Sequence, residues 1–298
     1  MKIFYGILNN SIDVTDICLS KLMHNNIIII PSGDGNRSNN FTDPLVGIHK
    51  NIIVLINDTL TEYDEYQLLN INVKEEKVTA FKESDVNDKL NNIHSKLNIK
   101  YGILNDEVPE QKMVVRYLTG NEKILEIGGN IGRNSLVMSS ILQDSANLVT
   151  LECDTHVANL LKENRDSNNF NFNIESSALS NRRLIQRGLD TIPSDVLLEG
   201  YNFVNTITLT NLKMKYNIEF DTLVIDCEGA FYYILMDIPE LLNNINLIIM
   251  ENDYWDITKK NYIDEILMQN NFYVDYVEPG GWGPCYNNFY EVWKKSEK

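Results

Sequence analysis

One stretch of this chain decides its predicted fold: Leu125-Glu126-Ile127-Gly128-Gly129-Asn130-Ile131-Gly132. It closes a short apolar strand, predicted over residues 123–127, and leads into a helix predicted over residues 134–142. Glycines at such a junction let the backbone bend sharply and approach a bound ligand closely. The order of strand, glycine turn and helix therefore predicts a ligand site at the carboxyl end of a strand.

The next predicted strand, residues 148–152, ends at an acidic residue, Glu152. An acid about twenty residues after the glycine turn can bind both hydroxyls of a ribose. The turn and Glu152 together predict a cofactor that contains a nucleoside. The alternative is that this is a structural glycine turn of the kind found in any α/β protein.

The pattern of the turn narrows the choice of cofactor. In a dinucleotide fingerprint the second and third glycines would fall on Asn130 and Arg133, so that pattern fails. The phosphate-loop pattern fails as well, because Arg133 and Asn134 stand where it needs Gly and Lys. A ligand without a pyrophosphate fits better, and we predict S-adenosylmethionine.

The same alternation of strands and helices extends over the C-terminal two thirds of the chain and predicts an α/β fold with a mostly parallel sheet. Residues 180–205 are expected to form an irregular insertion. We predict a small β-rich domain with a connector, of unknown role, over residues 1–98, and a second domain over residues 99–298. The strands predicted in this second domain are residues 123–127, 148–152, 171–178, 221–226, 245–251, 272–277 and 288–293.

Two further strand ends carry acidic residues. Asp226 and Glu228 follow the fourth strand of the predicted sheet, where they either face the ligand or cap the next helix. Glu251 and Asp253 follow the fifth strand, where either one can accept a proton from a substrate hydroxyl. The alternative there is an exposed loop. Tyr254 and Trp255 come next and offer rings that stack on a sugar.

Composition excludes some classes of partner. The net charge of −16 disfavours nucleic acid and anionic membranes. The four cysteines are far apart and form neither a CxxC pair nor a zinc pattern, which is typical of a reducing compartment. We find no apolar run long enough for a signal or a membrane span, and expect a soluble cytoplasmic protein without a metal. The oligomeric state is not indicated.

Several pieces of sequence resemble a known family. They are Ile124-Leu125-Glu126-Ile127-Gly128-Gly129-Asn130-Ile131-Gly132, Thr150-Leu151-Glu152-Cys153-Asp154, Ser177-Ala178-Leu179-Ser180, Val224-Ile225-Asp226-Cys227-Glu228-Gly229-Ala230 and Tyr290-Glu291-Val292-Trp293-Lys294. Over residues 108–295 the chain resembles the FkbM family of S-adenosylmethionine-dependent methyltransferases. The resemblance implies the class I methyltransferase fold, Rossmann-like with a seven-stranded sheet. It also implies methyl transfer to a hydroxyl oxygen, often on sugars or natural products.

The resemblance also implies which residues form the site. The expected cofactor contacts are Glu126, Gly128, Gly129, Asn130, Gly132, Glu152, Cys153, Ser177, Ala178 and Asp226, with Ser177 and Ala178 beside the adenine. The expected catalytic residues are the carboxylates Asp226, Glu228 and Asp253. Many members of the family carry another acid where this chain has Phe231, so a role of that acid is absent or replaced.

The leading hypothesis is therefore an O-methyltransferase that acts on a sugar or glycan, in polysaccharide biosynthesis. Phe231 and the β-rich N-terminal region motivate a second hypothesis, a non-catalytic factor that binds glycan or protein with a methyltransferase fold. A methyltransferase for protein or lipid is the third.

Overall fold

The structure, a computed structural model, describes residues 1–24 and 26–296. Asn25 and the last two residues of the domain predicted over residues 99–298 lie outside the described residues. The chain divides into two compact units, residues 1–88 with 274–277 and residues 89–273 with 278–298. Among the described residues, no helix combines the length and the apolar character that crossing a membrane requires.

The elements up to residue 94 are mostly strands. They are β1 (Lys2–Ile7), β2 (Asn10–Asp13), α1 (Thr15–Lys21), β3 (Met23–His24), β4 (Ile27–Ile30), α2 (Asp34–Phe41), β5 (Asn51–Ile56), β6 (Thr59–Tyr63), β7 (Gln67–Asn72), β8 (Lys77–Lys82) and α3 (Glu83–His94).

From residue 108 onward helices and strands alternate. The elements are α4 (Val108–Tyr117), β9 (Ile124–Ile127), α5 (Arg133–Ile141), β10 (Leu148–Leu151), α6 (Thr155–Asp166), β11 (Asn173–Glu175), β12 (Ala178–Leu179), β13 (Leu184–Arg187), β14 (Asp190–Pro193), β15 (Asn202–Val204), β16 (Thr206–Ile207), α7 (Leu209–Tyr216), β17 (Thr222–Ile225), α8 (Phe231–Asp237), β18 (Leu247–Glu251), α9 (Ile257–Gln269), β19 (Phe272–Glu278) and β20 (Tyr290–Lys295). Short 3-10 helices lie at Ser145–Asn147, Pro239–Leu242 and Gly283–Asn288.

The first unit contains two four-stranded sheets, in the orders β2-β1-β5-β6 and β3-β4-β7-β8. Side chains on the inner strands point alternately to the two faces of each sheet, because a strand has a two-residue period. Every second side chain therefore enters a common core. The alternating core residues are Ile3 and Tyr5, Ile28 and Ile30, Ile52 and Val54, and Leu69 and Ile71. The β-rich character predicted for this region is confirmed.

A seven-stranded sheet has the order β11-β10-β9-β17-β18-β20-β19, and its strands belong to the second unit except for residues 274–277 of β19. The strands from β11 to β18 pair in parallel, whereas β20 runs antiparallel to β18. Numbered along the chain within this sheet, the order is 3-2-1-4-5-7-6 with a reversed seventh strand. This is the strand order of the class I methyltransferase fold, so the predicted fold class is confirmed.

The central strands of this sheet are mostly apolar because both of their faces are covered. Every residue of β9, β10 and β17 is buried. Two local expectations were wrong. Residues 180–205 are not irregular but contain a three-stranded antiparallel sheet, β14-β13-β15, and the strand predicted over residues 171–178 breaks into β11 and β12.

Candidate functional site

The glycine turn after β9 touches the end of the neighbouring strand β17. Gly128 has a φ of +94°, a region that favours glycine. A Cβ built on Gly128 would lie 1.6 Å from the backbone oxygen of Asp226. Only a residue without a side chain fits there, and this contact keeps the ends of β9 and β17 together.

The backbone N–H groups of this turn already have acceptors within the protein. Those of Gly128 and Gly129 both donate to the backbone oxygen of Leu151, at 3.0 and 2.9 Å. That of Asn130 donates to a Glu152 carboxylate oxygen at 2.9 Å. The N–H of Gly132 donates to Gly129 at 2.8 Å. A phosphate-binding loop needs these donors for its ligand, so the turn is not built for a phosphate.

Glu152 is held in a fixed orientation by two backbone donors. Its Oε2 accepts from Asn130, and its Oε1 accepts from the N–H of Asp154 at 2.8 Å. Each carboxylate oxygen has a second lone pair, so both can accept a further hydrogen bond. Burial raises the pKa of Glu152 above its usual value.

Beside this turn lies a cavity of about 600 Å³ at the carboxyl ends of β9, β10, β17 and β18. Eight of the residues predicted for the site line it: Gly128, Asn130, Glu152, Cys153, Ser177, Ala178, Asp226 and Glu228. One end is formed by Glu152 with Cys153 and Ser177, and the other by Asp226 with Glu228 and Glu251. The cavity is of the size that small-molecule sites in proteins have.

Four predicted residues lie behind the cavity wall: Glu126, Gly129, Gly132 and Asp253. Gly129 and Gly132 pack against Leu161 on α6, where a Cβ would come within 2.9 and 3.1 Å of its side chain. They let α6 approach the turn. Asp253 is 8% exposed and lies just after β18.

Glu126 is fully buried on β9 and accepts hydrogen bonds from the hydroxyls of Ser135 and Thr150. Burial raises its pKa to about 7, although the two hydroxyls lower it. Between pH 4.5 and 7 the folded chain therefore keeps a proton that the unfolded chain loses. This contribution to the free energy of unfolding is fully present below pH 4.5. It falls by about 3 kcal/mol as the pH rises from 4.5 through 7.

We expect Glu126→Gln to remove that part of the pH dependence, because an amide does not ionise. Urea unfolding of the wild type and the variant, measured from pH 4.5 to 8.5, gives the difference directly. The stability of the wild type should fall relative to that of Glu126→Gln over this interval. Parallel curves for the two proteins would show that folding does not raise the pKa of Glu126.

The acidic end of the cavity contains more carboxylates than the sequence indicated. Glu107 and Glu110, at the start of α4, line the cavity together with Asp226 and Glu251. Burial, followed by the charge of Glu110, raises the pKa of Asp226 well above its usual range. Burial also raises the pKa of Glu251, and a side-chain hydrogen bond with Glu110 raises it further. The sequence offered no sign of Glu107 and Glu110 beyond two acids near a helix start.

The inserted residues 180–205 also contribute to the cavity. The cavity is lined by residues of β13, β14 and the turn between them, and Thr191 lies beside Cys153: Leu184, Gln186, Leu189 and Thr191. Leu189 is 65% exposed, although it is apolar. These residues were missed because nothing in their spacing distinguishes a cavity wall from an exposed hairpin.

A pair of tryptophans stands at the rim of the acidic end. Trp282 lines the cavity, and its ring centroid lies 4.2 Å from that of Trp255. Trp255 is 80% exposed, which is unusual for so large an apolar side chain. The expectation for Tyr254 was wrong, because its side chain is 2% exposed and does not line the cavity. Phe231 is fully buried at the start of α8 and belongs to the core.

No protein-family profile matches this chain, and no curated protein does. Among solved structures, the O-methyltransferase from Bacillus cereus in complex with SAH is similar at 17% identity, over 72% of this chain and 92% of that one, with a TM-score of 0.41. The ribosomal protein L11 methylase from Lactobacillus delbrueckii subsp. bulgaricus is similar at 12% identity, over 63% and 79%, with the same TM-score. Likeness at this level carries no argument about activity. The fold assignment depends on the strand order, and membership of the FkbM family stays a prediction.

Proposed function

We propose that residues 99–298 form an S-adenosylmethionine-dependent methyltransferase that acts on a hydroxyl oxygen of a sugar or glycan. The observation that carries the proposal is the cavity itself, which joins an oriented carboxylate, Glu152, to a group of carboxylates around Asp226. The first end suits a nucleoside, and the second suits a hydroxylated acceptor. The cavity lies where ligands bind in open α/β sheets.

S-adenosylmethionine fits this cavity because it combines a ribose with no phosphate. Glu152 has an acceptor lone pair on each oxygen for the two ribose hydroxyls. Cys153, Ser177 and Ala178 would hold the adenine, and Gly128 and Asn130 would hold the methionine part, with Asp226 at the acidic end. The N–H groups of the turn are already paired, which disfavours the phosphates of NAD or ATP.

Bound in this cavity, S-adenosylmethionine would supply the methyl group. A carbon–oxygen bond to the acceptor would form as the carbon–sulfur bond breaks, and S-adenosylhomocysteine would be the second product. The hydroxyl proton would pass to a carboxylate of the acidic end. Of the predicted catalytic residues, Asp226 and Glu228 line the cavity there, whereas Asp253 lies behind its wall. Much of the rate comes from holding the oxygen and the methyl group in contact.

A sugar is the acceptor that the acidic end suits best. Carboxylates accept hydrogen bonds from several hydroxyls at once, and Trp282 and Trp255 offer apolar ring faces at the rim. The resemblance to the FkbM family implies the same class of acceptor. The net charge of −16 disfavours anionic acceptors such as nucleic acid.

Isothermal titration with S-adenosylmethionine, S-adenosylhomocysteine, NAD and ATP tests the cofactor. We expect the first two to bind at one site per chain and the last two not to bind. Transfer of a radiolabelled methyl group to a panel of neutral mono- and oligosaccharides then tests the acceptor. Binding of NAD in preference to S-adenosylmethionine would overturn the proposal, and methylation of a protein or lipid alone would replace the acceptor.

A further inference from the structure

Three carboxylates converge at the ends of two adjacent parallel strands. Asp226 follows β17, while Glu251 and Asp253 stand at the end of β18. One oxygen from each of the three side chains lies within 4.8 Å of the other two. Asp226 and Glu251 line the cavity, whereas Asp253 is buried and lies behind the cavity wall. Spacing along the chain did not support a metal at these positions, because the strands alone bring them together.

The group lacks the cations that usually accompany buried acids. In residues 1–24 and 26–296, no lysine or arginine forms an ion pair with Asp226, Glu251 or Asp253. Three carboxylates this close cannot all be ionised at once unless something positive joins them.

A fourth carboxylate supplies a separate observation that points to a ligand. Glu110 comes from α4, is 6% exposed, and lines the cavity beside Glu251. Its Oε2 is buried without a hydrogen-bond partner, and so is Oδ1 of Asp253. An ionised carboxylate only accepts, so these atoms need a donor or a cation to replace the water they have lost.

The distances suit a hard divalent cation. Oxygens on opposite sides of one ion are about 4.2 Å apart for Mg²⁺ and about 4.6 to 5.2 Å apart for Ca²⁺. The three oxygens lie within 4.8 Å of one another, so small side-chain movements would bring them to the distances that one such ion requires. A donor set made only of oxygen selects ions of this class over zinc or copper.

We propose that Asp226, Glu251 and Asp253 bind one divalent cation that prefers oxygen ligands, with Glu110 accepting a hydrogen bond from a water on that ion. The coordination positions that face the cavity take two adjacent hydroxyl oxygens of the acceptor. This role rests on the proposed function, whereas binding of the ion does not. Glu228 also lines the cavity and stays outside the ligand set, which leaves it to accept the proton.

Electron paramagnetic resonance with Mn²⁺ as the probe tests the site, in about 0.15 M KCl to screen the acidic surface. We expect one Mn²⁺ per chain. Asp253→Asn should weaken its binding at least tenfold, and Glu110→Gln about threefold. The control Glu265→Gln removes an exposed carboxylate on α9 and should leave the affinity unchanged. Added Mn²⁺ should raise the melting temperature of the wild type and of the control, but not that of Asp253→Asn.

Two results would overturn the site: no Mn²⁺ bound at millimolar concentration, or many weak sites that respond equally to all three substitutions. Titration with S-adenosylmethionine in the presence of EDTA separates this proposal from the proposed function. If Mn²⁺ binds as expected but S-adenosylmethionine does not, the cation site stands and the methyltransferase proposal fails. If S-adenosylmethionine binds and Mn²⁺ does not, the cation site alone fails.

Discussion

Gly128→Ala should destabilise the second unit by about 4 kcal/mol or more and abolish cofactor binding. The new Cβ would lie 1.6 Å from the backbone oxygen of Asp226, roughly half of a normal contact distance. The clash is with backbone, so no side chain can rotate away, and the ends of β9 and β17 must separate. We expect the melting temperature in scanning calorimetry to fall by about 10 °C or more.

Gly188→Ala is the matched control for this substitution. Gly188 also has a positive φ, +59°, but a Cβ there would meet no atom within 4 Å. It therefore costs only the strain of the backbone conformation, about 1 kcal/mol. A melting temperature for Gly128→Ala within about 3 °C of that of Gly188→Ala would mean that the two strand ends are not held in contact.

The sheet was predictable because its determinants are local. Both faces of β9, β10 and β17 are covered, so each strand is mostly apolar and is followed by a polar or glycine residue. Residues at such ends meet at one edge of a parallel sheet, whatever their separation along the chain. Glu152 and Asp226 could therefore be placed in one site from the sequence, and both line the cavity.

What the sequence did not reveal depends on contacts between distant segments. Glu110 reaches the acidic end because α4 lies beside β18, and nothing near residue 110 indicates that neighbour. Leu184 and Leu189 line the cavity because a hairpin forms within a polar stretch with no clear period. Glu126 was expected to touch the cofactor, yet it lies beneath the turn and binds Ser135 and Thr150. Strand patterns show which residues share an edge, but not which of them face the open space.

Glu152→Ala should weaken binding of S-adenosylmethionine about a hundredfold, because it removes two charge-assisted hydrogen bonds of about 1.5 kcal/mol each. Glu152→Gln retains one acceptor oxygen and should weaken binding about tenfold. The control Glu163→Ala removes a carboxylate on α6 that binds Tyr101 and Lys100. Isothermal titration gives the three affinities, and calorimetry shows whether each protein is folded. If a folded Glu152→Ala protein binds S-adenosylmethionine with wild-type affinity, Glu152 does not bind the ribose and the cofactor assignment is wrong.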